Sequence, residues 1–152
     1  MVDIVIDEWL WADLSGENSS ENQREAFEFI QTIFHACDRI VTVKGSKFND
    51  KVLSFWKHTD IKRRTIAKYY MEKFLFNSEK SVNLDESSLV YVPEHISKAT
   101  KEDDHYLIQA YLTAKANVIV TTDNLLKAAI NNDINCKHRD EFVASYIQQH
   151  RR

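Results

Sequence analysis

Glycine and proline are nearly missing from this chain, with two of the first and one of the second in 152 residues. Neither Gly16 nor Gly45 sits in a glycine-rich phosphate loop or a dinucleotide fingerprint, so glycine-cradled phosphate chemistry is nearly excluded. Cysteine is scarce too. Cys37 and Cys136 lack the close spacing of a zinc site and read as buried thiols of a reducing compartment, with a single disulfide as the alternative. No apolar run approaches the roughly 18 to 20 residues of a membrane span, and the acidic start does not read as a signal peptide. The expectation is a soluble, cytoplasmic protein with no membrane partner.

What is present is ordinary for a globular chain: 43% hydrophobic and 28% charged residues. The length suits one domain with a sizeable core. Net charge is −3, but it is unevenly spread. From Met1 to His35 eight acids (Asp3, Asp7, Glu8, Asp13, Glu17, Glu21, Glu25, Glu28) face Arg24 alone. From Lys44 to Lys73 nine bases, among them Lys44, Lys47, Arg63, Arg64 and Lys68, face Asp50, Asp60 and Glu72. Such a block can grip a polyanion, or it can be a solvated helical face.

Periodicity gives the order of elements. Strands are expected at Asp3 to Asp7, Arg39 to Val43, Ser88 to Val92, Val118 to Thr122 and Ile134 to Lys137, all short and rich in β-branched residues. Helical spacing of apolar residues appears in Glu21 to Cys37 (capped by Ser20), after Gly45-Ser46 through Trp56, and from about Ile61 to Phe76. It recurs in Asp104 to Lys115, after an Asp123 or Asn124 cap, and in the last helix with Phe142, Val143, Tyr146 and Ile147. Ser15 to Asn22 and Asn77 to Ser88 read as polar loops. Strands separated by helices imply α/β architecture: a single-domain, three-layer α/β/α fold with a mainly parallel sheet of about four to five strands.

Two β-branched runs stop at an aspartate: Ile4-Val5-Ile6-Asp7 and Val118-Ile119-Val120-Thr121-Thr122-Asp123. A third acidic stretch, Glu102-Asp103-Asp104, opens a helix. In an open parallel sheet the carboxyl ends of strands and the adjacent helix starts crowd one edge, where ligands bind. Carboxylates gathered there repel one another, and a hard divalent cation relieves the repulsion. Taken singly, Asp103, Asp104 and Asp123 could each be a helix cap, stabilising by ~1 kcal/mol. Falling together at one edge points instead to a site.

These residues resemble the PIN-domain nucleases. The resemblance is carried by Ile4 to Asp7, by Asp103-Asp104-His105-Tyr106-Leu107-Ile108-Gln109-Ala110, and by Ala114-Lys115-Ala116-Asn117 followed by Val118 to Leu126. The family's matching stretch has an aspartate opening an Ala-rich helix, a small Ala-Gly-Ala-Asp turn, and an apolar strand ending Thr-x-Asp. Ile134 to Tyr146 resembles its last strand and helix. Residue by residue, Asp7 matches the first metal-binding acid and Asp123 the late one. The middle acid is Asp104 counting back from Asp123, or Asp103 by the Asp-x-His-x-Leu pattern. His105 reads as structural, and Asn124 as a cap or a holder of a metal-bound water.

The resemblance implies a Mg²⁺- or Mn²⁺-dependent endoribonuclease that hydrolyses phosphodiesters of single-stranded RNA. In two-metal sites of this kind the ions lie ~3.5 to 4 Å apart. It also implies toxin–antitoxin biology as one setting, with an antitoxin, another protein or a second copy as partner. One feature departs. The family's glutamate at the helix after the second strand has no counterpart in residues 42–50, where Asp50 could substitute and Lys44 could neutralise part of the cluster. Glu8, beside Asp7, is a further substitute. The second expectation is therefore a catalytically idle PIN-like module that binds RNA or protein. A receiver-type phosphoacceptor domain is a third reading, disfavoured because no mid-chain acceptor and late lysine follow Asp7-Glu8.

Overall fold

The computed structural model describes residues 1–151. Among them are five strands: β1 (Asp3–Ile6), β2 (Arg39–Val43), β3 (Ser81–Leu84), β4 (Val118–Thr121) and β5 (Cys136–His138). They form one all-parallel sheet in the order β3-β2-β1-β4-β5. Eight α-helices accompany the strands: α1 (Trp9–Leu14), α2 (Ser20–His35), α3 (Lys47–Trp56), α4 (Ile61–Tyr70), α5 (Glu94–Ala99), α6 (His105–Ala114), α7 (Asn124–Ile130) and α8 (Arg139–His150). The sheet runs outward from β1 to β3, then returns to the other side of β1 for β4. That reversal is where open α/β sheets leave a crevice.

The period-two alternation of side chains in a strand divides the core into two layers. Ile4 and Ile6 of β1 pack with Leu10, Trp11, Phe29 and Ile30 on the face covered by α1 to α4 and α8. Val5 packs with Ile108, Ile119, Leu126 and Cys136 on the face covered by α5, α6 and α7. Strands buried on both faces read as unbroken apolar runs, which is why β1, β2 and β4 were recognisable. Each fully buried Ile or Phe contributes roughly 1.5 to 3 kcal/mol relative to exposure. Trp11 is the hub of the first layer, with ring centroids 4.8 Å from Tyr70, 5.1 Å from Phe48 and 5.9 Å from Phe55. Trp9 donates its indole N–H to the Val120 carbonyl at 2.9 Å. The two tryptophans thus anchor α1, as their place after β1 suggests.

Register is held by charge at the start of the sheet. Asp3 and Arg39 lie opposite each other in β1 and β2 and form a two-pronged pair, Nε–Oδ1 2.9 Å and Nη2–Oδ2 2.8 Å. That geometry fixes orientation as well as attraction.

Several expectations are corrected. The third strand is Ser81–Leu84, inside the segment read as a loop, and residues 88–92 form no strand. Ser81-Val82-Asn83-Leu84 has only alternate apolar residues because it is an edge strand that pairs with β2 alone. Its amide is satisfied locally, Asn83 Nδ2 donating to the Leu75 carbonyl at 3.0 Å. Val90 and Tyr91, which look strand-like, are exposed. The helix expected to Phe76 ends as α at Tyr70 and continues as a wider π turn, Met71–Leu75. There Tyr70 and Phe74 stack with centroids 5.5 Å apart. Ser19, not Ser20, caps α2, its hydroxyl accepting from Asn22 N–H at 3.0 Å. The last strand is Cys136–His138 rather than 134–137. Cys37 is exposed in the turn after α2, whereas Cys136 is buried.

The turn between α6 and β4 has one costly feature. Lys115 adopts φ +53°, ψ +47°, a left-handed conformation that a Cβ disfavours by roughly 1 to 2 kcal/mol. Glycine is the usual residue at such a helix end. Lys115→Gly is expected to stabilise the fold by about 0.5 kcal/mol, the relief being partly offset by the greater freedom of unfolded glycine. A shifted urea midpoint at constant slope would register it, and a loss of stability would contradict the backbone assignment. Among the described residues no helix is long and apolar enough to cross a membrane.

Candidate functional site

The parallel register of β1 and β4 pairs Ile6 with Val120, so Asp7 and Thr121 emerge side by side where the two strands end. The backbone closes this end, Asp7 N–H donating to the Val120 carbonyl at 3.1 Å. Both oxygens of the Asp7 carboxylate are oriented. Oδ1 accepts from the Glu8 N–H at 2.7 Å, and Oδ2 accepts from the Thr121 hydroxyl at 2.9 Å. The same hydroxyl oxygen accepts from the Asp123 N–H at 3.1 Å. Thr121, fully buried, therefore ties the two strand-end acids together. Its position before Thr122-Asp123 was visible in the sequence, but its bridging role was not read there.

Asp123 caps α7. Its Oδ1 accepts from Leu125 and Leu126 N–H at 2.9 and 3.1 Å, leaving Oδ2 without a partner among the described residues. Asn124, the other cap considered, is exposed as the first residue of α7. Asp104 comes from a short 3-10 turn, Glu102–Asp104, that leads into α6. Its carboxyl is pushed above the usual range, first by burial and then by the negative charges of Asp7 and Asp123; Lys47 and Lys101 pull the other way. Asp104 and Asp123 line a common cleft of about 180 Å³ with Thr100 and Lys101. Asp7 and Asp123 are thus tied through Thr121, while Asp104 shares a cleft with Asp123 and feels the charge of both.

Asp103 is turned away. It is 76% exposed and pairs with Lys47 at 3.1 Å, a surface contact of little energetic weight. His105 bonds Thr100 through Nε2 at 3.0 Å, a structural role at the start of α6. Tyr106, not singled out from the sequence, sets its hydroxyl 3.5 Å from Asp7 Oδ1. Burial, with Asp7, Glu8 and Asp104 nearby, drives that phenol's pKa far up, so it stays protonated and can only donate toward the acids. Behind them the Cys136 thiol is pushed up to about 11, chiefly by burial, with Lys127 opposing.

Glu8 and Asp50 face a groove of about 320 Å³ with Lys47, Lys51 and Ser54. Glu8 adds its negative charge to those that raise Tyr106, which places it nearer the cluster. The bases are spread out rather than ranked along one face. Lys44 pairs with Asp85 at 3.1 Å, and Arg63 pairs with Glu17 at 3.1 Å while lying over the Phe55 ring. Arg64 reaches the carbonyls of His58 and Thr59, and Lys68 is exposed on α4.

The donor set suits a hard ion in kind: carboxylate oxygens, one of them raised in proton affinity by its neighbours. In distance the cluster is open. Among the described residues no three acidic, histidine or cysteine side chains lie close enough to hold an ion as they stand. Asp7, Asp104 and Asp123 are the residues that would hold one. Behind them Arg139, 2% exposed, bonds Asp13 at 2.8 Å and Glu25 at 2.7 Å and lies over the Trp9 ring. This buried ion pair joins α8 to α1 and α2.

Fold and site define a three-layer α/β protein with an acidic crevice at the switch point of its sheet. No family model matches the chain, and no curated protein matches it.

Proposed function

We propose that the chain is a Mg²⁺- or Mn²⁺-dependent ribonuclease of the PIN type, acting on single-stranded RNA. The observation that carries this reading is the pairing of Asp7 and Asp123 through the buried Thr121 hydroxyl at the switch point of the sheet, with Asp104 raised by burial and then by the charges of those two acids. A divalent ion at such carboxylates supplies Lewis acidity toward the phosphoryl oxygens and activates water. The protein's own groups set the stage. Thr121 and the Glu8 N–H hold Asp7 in one orientation. Asp104 would complete the carboxylate set around the ion, whose charge would relieve the repulsion from Asp7 and Asp123. Lys47, close enough to act on Asp104, offsets phosphate charge at the rim.

A second reading, an idle module that binds RNA or protein, draws on the open spacing of the acids and on Lys47 standing where family members carry an acid nearby. Cleavage of a labelled single-stranded RNA separates the two. The nuclease reading expects cleavage with Mn²⁺ or Mg²⁺, stopped by EDTA, and reduced at least about 100-fold by Asp7→Asn and by Asp123→Asn. Equal cleavage by both variants would expose a contaminant and end the proposal. No cleavage, with RNA binding that weakens steeply in salt, would favour the module.

A further inference from the structure

Three large apolar side chains stand in solvent on either side of the turn that joins α3 to α4. Leu53 and Trp56 are 49% and 47% exposed, and Ile61 is 68% exposed. Leu53 and Trp56 lie three residues apart and so are neighbours on the helix surface. They fall outside the side of α3 that buries Phe48, Val52 and Phe55. Ile61 opens α4, whose buried side carries Ile66, Ala67 and Tyr70. Trp56 stands apart from Trp9 and Trp11, which are buried. The turn itself is firmly held. Asp60 caps α4 by accepting from the Lys62 N–H at 3.0 Å, and Arg64 donates to the His58 and Thr59 carbonyls at 3.3 and 3.4 Å. Arg63 ties the hairpin to Glu17 at 3.1 Å and lies over the Phe55 ring. Apolar groups held outward on an ordered scaffold mark a contact surface.

Charge says what such a surface would meet. From Lys51 to Met71 there are six bases and one acid. The acid, Asp60, is occupied as the cap, and Arg63 is paired with Glu17. Lys51, Lys57, Lys62, Arg64 and Lys68 are exposed and pair with no acid among the described residues. We propose that the α3–α4 hairpin seats an acidic, amphipathic segment of a partner protein. Its apolar face would cover Leu53, Trp56 and Ile61, and its carboxylates would meet the surrounding cations. RNA would satisfy the cations and stack on Trp56, but it has no apolar face to cover two aliphatic side chains. A second copy seated patch on patch would set the same cations against each other. The surface is separate from the acid crevice, and the proposal holds whether or not the chain cleaves RNA.

Selection from a displayed library of random linear peptides against the full chain tests the surface without presuming a partner. The enriched peptides are expected to combine acidic with apolar residues and to bind less tightly as salt rises. Bound peptide should shift tryptophan emission to the blue, a shift absent in Trp56→Phe. The double variant Leu53→Ser, Trp56→Ser should bind the same peptides at least about tenfold more weakly. Lys57→Glu with Lys62→Glu should weaken them as well. Circular dichroism checks that both variants fold, and the lysine pair keeps the test open if the apolar one does not. No enriched peptide, enriched peptides without an acidic excess, or binding unchanged in the folded variants overturns the proposal. A dimer in sedimentation that the apolar variant dissolves would give the surface to a second copy and also overturn it. So would phosphatidylserine vesicles or single-stranded RNA held through Leu53 and Trp56 by a chain that binds no acidic peptide.

Discussion

Asp104→Asn is expected to move stability and activity in opposite directions. Its folded pKa lies above the ordinary carboxylate value, so the folded state holds that proton more tightly than the unfolded chain does. The stabilising contribution is then fully present below the unfolded carboxylate pKa and is lost as pH rises through the folded one. At neutral pH, metal-free Asp104 is ionised against burial and two like charges. The uncharged amide removes that burden without removing a cap, since the Asp104 side chain makes no capping bond to α6. In metal-free buffer the variant should melt higher than wild type at pH 7 and equally at a pH below the carboxylate range. Mn²⁺ should raise the melting temperature of wild type and leave the variant nearly unmoved, because an ion stabilises only the state that binds it. Cleavage should fall by about 100-fold or more, at least the loss seen when a mere supporting partner of a metal ligand is removed. A variant less stable at pH 7, with undiminished Mn²⁺ response, would show that Asp104 is a solvated surface acid. Stability gained where function is lost is the usual signature of a working site.

Replacing Arg139 with methionine is expected to destabilise the fold by about 3 to 5 kcal/mol, the cost of leaving a buried charge unpaired. Arg139 and Asp13 are 2% and 1% exposed, and Nε meets Oδ2 at 2.8 Å. Removing the guanidinium strands the Asp13 carboxylate, with only Asn18 still bonding it. The pair itself contributes less than this number suggests, because both ions were taken out of water to make it. The double variant Arg139→Met, Asp13→Leu should therefore recover most of the loss. Urea denaturation of the three proteins checks both statements. A single-variant loss below about 1 kcal/mol would mean the pair behaves as a surface contact. Because Arg139 also lies over Trp9, two residues from Asp7, the single variant is expected to loosen the acid site as well.

How far the chain could be read from its residues alone follows from how local each feature is. β1, β2 and β4 announce themselves because both their faces are buried and, past Asp3 and Arg39 at the strand starts, every side chain is apolar or β-branched. β3 does not, since an edge strand tolerates serine and asparagine whose side chains bond nearby turns. Asp7 and Asp123 stand out because an acid directly after a buried strand must lie at the sheet edge. Asp103 and Asp104 could not be separated by pattern, as one step around a 3-10 turn sends one toward Lys47 and the other toward Asp7 and Asp123. The Arg139–Asp13 pair was invisible because its partners are 126 residues apart and meet only when the start of α8 reaches the end of α1. The basic block misled in the opposite sense. Its charge is real, but the acids that meet Lys44, Lys47 and Arg63 come from other segments.

Because β1 sits in the middle of the sheet and its second neighbour is β4, more than a hundred residues must be made before that neighbour exists. A nascent chain can zip β1 to β2 and β3 early, yet it carries an unpaired inner edge until residues 118–121 emerge. The acid crevice consequently forms only once β4 has been made. Fragments ending before Val118 would contain Asp7 and Asp104 but hold them against nothing.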